Sequence, residues 1–530
     1  MIANLRKIRV IVSVIFFILT ALIFIDFKNY LPLWLNKYIL YLQFVPSLFK
    51  FINILSISAA GFVVILLLTL FSGRVYCSSI CPLGTMQDII NWISKKINKK
   101  KRFRMFKPYS ILRYSLLGLT ILSAALGSMF ILNLLDPYSN FGRMFSNLVR
   151  PSAVWINNSI AFTLEQFKNY SLYPYEFKGI SPLLVILPAA FFLFIAFMSF
   201  TKGRLYCNSI CPVGTLLGLV SRCSIIKLSI DKDNCKSCGR CERVCKAGCI
   251  DNKNKNIDFS RCVSCFNCIE SCPGSGINFR VLQFKGKDQE QCLDVKEKVK
   301  PAEINLSKRD FLIATSVFLI GVKKITYAQK KVIKSYKDST VPVFRKNPVT
   351  PPGSLGKDHF TGSCTACHLC VSACPTQVLQ PAYLEYGLLG IMQPKMDYKK
   401  SFCNFECNIC SDICPNGAIL PLNAEKKKTL QLGRAKFVKD NCIVYTENTD
   451  CGACSEHCPT KAVSMIQDKK LTAPKVNEEI CIGCGACEYA CPAKPYKAIY
   501  VEGNPVHLTA KKPKVNKSEQ KIDYKEDFPF

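Results

Sequence analysis

The sequence predicts an α-helical membrane domain followed by small α+β domains built around cysteines. Three observations predict it. The apolar residues, 49% of 530, gather into long runs instead of spreading along the chain, which is the pattern of membrane helices. Most of the 31 cysteines fall in tight C-x2-C-x2-C-x3-C runs, a spacing that serves metal clusters and not bridges between distant loops. One short segment is written twice, as GRVYCSSICPLGT at 73–85 and GRLYCNSICPVGT at 203–215, each time after an apolar run.

Four runs approach the roughly 20 apolar residues that cross a bilayer: Ile8–Ile25, Ile52–Phe71, Ile111–Leu135 and Pro182–Phe200. About four membrane helices are therefore expected. Pro182 and Pro188 fall in the fourth run; a membrane helix absorbs a proline when its neighbours satisfy the freed carbonyls. No small-residue cleavage site follows Ile8–Ile25, so it reads as a retained anchor. Orientation is set by the loop charges. The N-terminal tail carries Arg6, Lys7 and Arg9. The 72–110 loop carries Arg74, Lys95, Lys96, Lys99, Lys100, Lys101, Arg102, Arg104 and Lys107 against Asp88 alone. The expected location is the cell inner (cytoplasmic) membrane, multi-pass, with both repeats on the cytoplasmic side.

A fifth apolar run, Phe311–Val322, has 12 residues and comes after LSKRDF at 306–311. As a helix it is too short to span the hydrocarbon core. A short apolar run behind the basic pair Lys308-Arg309 reads as a translocation signal that exports the residues C-terminal to it; a buried hydrophobic helix is the alternative. The expected organisation is a membrane domain at 1–222, a two-cluster domain at 223–300 on the cytoplasmic side, a signal-like segment and linker at 301–360, a four-cluster domain at 361–508 on the other side, and a disordered tail at 509–530. The formal net charge of +33 does not indicate nucleic acid. Much of it flanks apolar runs, and each [4Fe-4S] core with four thiolates contributes about −2.

The first cysteine runs are CKSCGRCERVC and CVSCFNCIESCP. Three thiolates from one loop and a fourth from the other supply the corners of a cubane. One cluster is expected on Cys235, Cys238, Cys241 and Cys272, and another on Cys262, Cys265, Cys268 and Cys245. Lys246 stands where a proline usually comes after the fourth cysteine, and Cys249 is close enough in sequence to substitute for Cys245. The C-terminal region repeats the theme with Cys364, Cys367, Cys370 and Cys374; Cys403, Cys407, Cys410 and Cys414; Cys442, Cys451, Cys454 and Cys458; and Cys481, Cys484, Cys487 and Cys491. That is enough for four more clusters. Sequential and nested exchange of the fourth cysteines both fit the spacing.

Cys364-Thr-Ala-Cys367-His368 also matches the c-type haem attachment pattern, but Cys370 and Cys374-Pro375 complete a cluster motif around it. The repeated segment adds Cys77 and Cys81, and Cys207 and Cys211. Each pair is two thiolates short of a cubane. The two pairs together complete a seventh cluster; two separate thiol pairs are the alternative. Cys223, Cys249 and Cys292 remain, as buried small apolar residues. Iron, bound through these cysteines, is the expected metal. No dinucleotide fingerprint, P-loop or nucleophile elbow is present, and no catalytic residue is expected.

Paired C-x3-C-P motifs after apolar runs, with a two-cluster ferredoxin pattern behind them, resemble the membrane polyferredoxins of the NapH/NosR/CcoG type over roughly residues 1–290, including the LQFVPSL (42–48) and DPYSNFGR (136–143) loops. Residues from about 306 resemble an exported four-cluster ferredoxin of the NapG/MauM type, so the chain reads as a fusion. The resemblance implies bacterial-ferredoxin-like domains and electron transfer from quinol to a reductase or other redox partner, as a quinol dehydrogenase-like component. The alternative it implies is metal or cofactor maturation, or redox sensing.

Overall fold

The computed structural model describes residues 4–512 apart from 57–58, 100–101, 107, 180–181, 232, 275, 282–339 and 469–470. The run Phe311–Val322, the Lys308-Arg309 pair, Cys292 and most of the expected tail lie outside the described residues. The first part is built, among the described residues, from α1 (Leu5–Ile25), α2 (Leu33–Tyr41), α3 (Phe44–Ile54), α4 (Gly61–Ser72), α5 (Val75–Ser79), α6 (Pro82–Ile97), α7 (Ser110–Ala125), α8 (Phe130–Leu135), α9 (Pro137–Met144), α10 (Arg150–Gln166), α11 (Pro182–Lys202), α12 (Leu205–Ser209) and α13 (Pro212–Arg222).

Among the described residues, two helices are long and apolar enough to cross a membrane: α1 and the Val185–Lys202 part of α11. The other two expected spans are broken. In the run Ile52–Phe71, α3 stops at Ile54 and Leu55 takes a left-handed φ of 51°. Helix α4 then starts at Gly61, where any Cβ would run into the Tyr41 carbonyl. In the run Ile111–Leu135, Gly127 takes φ +78°. The Ser128 N–H reaches back to the Ser123 carbonyl at 2.9 Å, closing α7 as a Schellman turn. Backbone punctuation divides both runs. Helix α11 runs through Pro188 without a break.

The two copies of the repeated segment fold alike. Each preceding helix ends on a glycine at φ +75°, Gly73 and Gly203. A five-residue helix, α5 or α12, then carries the first cysteine. The second cysteine caps the next helix, α6 or α13, with the motif proline in its first turn. Proline suits that position, because its missing N–H would have no helical partner there.

Helix α1 serves as a ruler for the assembly. Arg6 pairs with Glu270 of the first cysteine-rich module. Arg9 donates to the Ser78 carbonyl at 3.1 Å, and Ser13 Oγ lies 2.8 Å from Thr85 Oγ1, both in the first repeat. Phe17 meets Phe141 of α9 edge-on at 5.6 Å. Phe24 is fully buried in a cluster with Tyr138, Phe141, Cys367 and Leu369. From Arg6 to Phe24 a helix rises about 27 Å at 1.5 Å per residue. The two cysteine-rich modules therefore flank opposite ends of α1, with the repeats between them.

In the first module, Ile226–Ile230 pairs antiparallel with Ile277–Val281, and Ile250–Asp251 with Asn256–Ile257. Each C-x2-C-x2-C loop runs into a one-turn helix, Arg240–Val244 or Asn267–Ser271. The C-terminal module is held by Leu430–Phe437 against Ile499–Thr509 and by the hairpin Val463–Asp468/Leu471–Val476. It is fixed to the helical part by polar contacts. Between α9 and α10 the backbone makes a π-helical turn at Phe145–Val149. From that turn Ser146 Oγ meets Ser372 Oγ at 2.8 Å and Asn147 Nδ2 meets His368 Nδ1 at 3.1 Å. Asn53 donates to the Asn416 carbonyl at 2.8 Å.

Candidate metal centres

The structure gathers the cysteines into sets of four. Cys235, Cys238, Cys241 and Cys272 line one recess. Cys245, Cys262, Cys265 and Cys268 line a second, shared with Cys249, whose sulfur is 3.6 Å from that of Cys245. The first recess has Cys272 from the other motif beside its three loop cysteines, and the second has both Cys245 and the alternative Cys249. In the C-terminal module the helix Leu369–Ala373 packs on Ile409–Ile413, and Ala453–Glu456 on Ala486–Ala490. Cys414 thus faces Cys364, Cys367 and Cys370, while Cys374 faces Cys403, Cys407 and Cys410. Cys491 lines a recess with Cys442, Cys451 and Cys454, and Cys458 faces Cys481, Cys484 and Cys487. The fourth cysteines are exchanged between consecutive motifs, which spacing alone leaves open. Cys223, expected as a small apolar residue, is disulfide-bonded and joins no set.

Cys77, Cys81, Cys207 and Cys211 are all buried in one core cluster at the contact of the two repeats. Burial, and then the neighbouring thiols, push the Cys81 and Cys211 thiols well above their ordinary range. The backbone already aims donors at the sulfurs. Gly214 N–H points at Cys211 Sγ at 3.3 Å, Ala366 N–H at Cys364 Sγ at 3.4 Å and Ala462 N–H at Cys458 Sγ at 3.2 Å. Such bonds suit cluster thiolates. Among the described residues, no three His, Cys, Asp or Glu side chains converge tightly enough to hold a single metal ion. Four cysteines per set match the ligand number of a [4Fe-4S] core.

Two arginines bind the repeats together. Arg74 of the first donates to the Cys207 carbonyl at 3.1 Å, and Arg204 of the second donates to the Cys77 carbonyl. Both are fully buried. Gly84 and Gly214 make room for this exchange, since a Cβ at either would run into the same carbonyls. Gln87 adds an amide N–H to Cys207 Sγ at 3.2 Å. Asp88 takes Arg204 on both oxygens, at 2.9 Å each, and also Lys246 at 2.7 Å and Arg9 at 3.2 Å. Burial alone would raise its pKa, but Arg204 and Lys246 outweigh that and hold the carboxyl far below the usual range. Sequence reasoning counts Arg74 and Asp88 as loop charges and gives Arg204 and Gln87 no role. The repeated Gly-Arg before each Tyr-Cys is the available signal. Gly84→Ala and Gly214→Ala are expected to destabilise the chain by about 1–3 kcal/mol in thermal unfolding. Gly118→Ala, with nothing within 4 Å of its added methyl, should not.

His368 is not free to ligate haem. Its ring is buried, with Nε2 2.7 Å from the Met392 carbonyl and Nδ1 bonded to Asn147. Burial lowers its pKa to about 3, so it is a neutral structural residue.

The sets are joined end to end. The Arg204 N–H bonds the Lys246 carbonyl at 3.0 Å, and Asn208 Nδ2 bonds the Ala247 carbonyl at 3.1 Å, tying the loop after Cys245 to the segment around Cys207. Next to Cys207, Tyr206 Oη donates to the Leu135 carbonyl at 2.8 Å, just before α9. Gly142 of α9 lets the helix lie directly on the Cys367 carbonyl. The Cys403 N–H bonds the Cys484 carbonyl at 3.0 Å.

Family models match the repeats and the C-terminal module. A model described as a 4Fe-4S binding domain matches residues 57–100 and 184–230, which hold the two repeats, and 4Fe-4S dicluster domain models match 363–419 and 441–495. The ferredoxin-type protein NapH of Escherichia coli is 27% identical over 229 residues, 41% of this chain and 66% of its own length. The methylamine utilization ferredoxin-type protein MauN of Methylobacillus flagellatus is 24% identical over 177 residues, 33% of this chain and 49% of its own. The ferredoxin-type protein NapF of Escherichia coli is 28% identical over 138 residues, 26% of this chain and 76% of its own. The chain thus spans about half to three quarters of these relatives. No solved structure matches.

Proposed function

We propose that this chain, a NapH-type polyferredoxin, is a membrane-bound relay that carries single electrons between a quinol pool and a soluble reductase or other redox partner. Iron–sulfur clusters, when bound, supply the one-electron chemistry. The ligands are the four-cysteine sets, with Cys77, Cys81, Cys207 and Cys211 holding a seventh cluster. The observation that carries the reading is the sequence of contacts along α1. One module lies at Arg6, the paired repeats at Arg9 and Ser13, and the other module at Phe24. Such an order suits transfer along the length of a membrane helix. It also suits opposite sides of the membrane for the two modules, with α3–α4 and α7–α8 as broken spans and with α4 and α7 packed on α13.

The quinol part of the reading is supported by a cavity of about 650 Å³ beside Cys414, walled by α2 and α3, with Lys37, Tyr38, Ser47 and Lys50 among its lining. That volume is in the range of small-molecule sites. Apolar walls next to a cysteine set, with two lysine heads, suit a ring carrying oxygen acceptors. Excess reduced quinol added to the anaerobic protein should reduce the clusters. Lys50→Ala should slow that reduction about tenfold, the worth of one charged hydrogen bond, and leave reduction by dithionite unchanged. Clusters that stay oxidised in excess quinol would overturn the quinol assignment.

A further inference from the structure

Five of the six ferredoxin-type motifs end in Cys-Pro, as do both repeats; only Cys245 is succeeded by another residue, Lys246. That lysine lies at the contact between the first module and the repeats, its side chain 12% exposed and its ammonium 2.7 Å from Asp88. Asp88 belongs to α6, directly after the first repeat, and its other partners are Arg204 and Arg9. Three cations thus share one carboxylate, which leaves net positive charge wedged between the Cys245 set and the Cys77/Cys81/Cys207/Cys211 set. The backbone agrees with the side chain. The Lys246 carbonyl takes the Arg204 N–H, and Gly203 has no Cβ where one would strike that same carbonyl. Proline at 246 would take this charge out of the junction.

We infer that Lys246 is a positioning residue that docks the first ferredoxin module onto the paired repeats and raises the reduction potential of the clusters on both sides of the junction. Positive charge favours the reduced cluster, which carries one more negative charge. The inference rests on the reading that the two repeats share a cluster. The Cys245 side of it stands without that reading.

The test is an EPR-monitored redox titration of the full anaerobic chain with Lys246→Met, Lys246→Arg and Asp88→Asn. Lys246→Met should shift two signals to lower potential with iron and sulfide content unchanged. Lys246→Arg should restore both. Asp88→Asn, which removes the negative partner, should shift the same two upward. No shift in the Cys245 signal, equal shifts in all signals, or no rescue by arginine would overturn it. Loss of iron in Lys246→Met leaves the opposite-signed shift of Asp88→Asn as the deciding measurement. Cys77→Ser reports separately whether the repeats hold a cluster. If it removes no signal while the Cys245 signal still moves, the docking role of Lys246 survives and the shared cluster does not.

Discussion

Cys77→Ser and Cys207→Ser are each expected to remove the same cluster and no other. Iron should fall from about 28 to about 24 atoms per chain, at four per cluster. The double substitution should remove nothing further on the proposal that the four cysteines act as one set; all four are buried in the same core cluster. The crossed arginines tie the two halves of the proposed site together. The first repeat's carbonyl at Cys77 is bonded by the second repeat's Arg204, and the reverse holds for Cys207 and Arg74. Iron analysis with EPR of each variant checks this. Two different signals lost, one per substitution, would mean two independent sites.

Arg204→Ala is expected to be the most damaging single change outside the cysteines. It takes from Asp88 its two-pronged partner, at 2.9 Å on each oxygen, and from the Cys77 carbonyl its donor, while Lys246 and Arg9 stay on the carboxylate. Breaking a fully buried ion pair from one side costs about 3–5 kcal/mol, and the two remaining cations put the expected loss at the lower end, about 3 kcal/mol. Lysine should rescue it poorly, since one ammonium cannot serve both carboxylate oxygens and the carbonyl. Arg240→Ala, on the exposed face of the first module, should stay within about 0.5 kcal/mol. Thermal unfolding of the three variants checks the ranking.

Much of the site is legible in the spacing of cysteines, because a cubane dictates ligand number and soft thiolate chemistry. The exchange of fourth cysteines is not, because it depends on which loops fold together: Cys414 reaches Cys364 only when the helix Ile409–Ile413 packs on Leu369–Ala373. The apolar helices are half legible. Hydropathy registers composition, but the close approach of Gly61 to Tyr41 and the turn at Gly127 are tertiary and backbone events that end helices within apolar runs. Arg74 shows the limit of charge counting. In the sequence it is a loop charge that orients a span, yet in the fold it is fully buried and bonded to the other repeat. Lys246 stands out in the sequence only as a departure from a motif. Its meaning needs Asp88, 158 positions earlier, to be placed 2.7 Å away.

The central claim is that the two repeats jointly hold one cluster lying between two ferredoxin modules. A cryo-EM map of the anaerobically purified chain tests it most directly. The expected result is one compact cluster density joined to the sulfurs of Cys77, Cys81, Cys207 and Cys211, in line with those of the Cys245 and Cys364 sets. Separate features on each pair, or a Cys77–Cys81 disulfide with no density between the repeats, would contradict it.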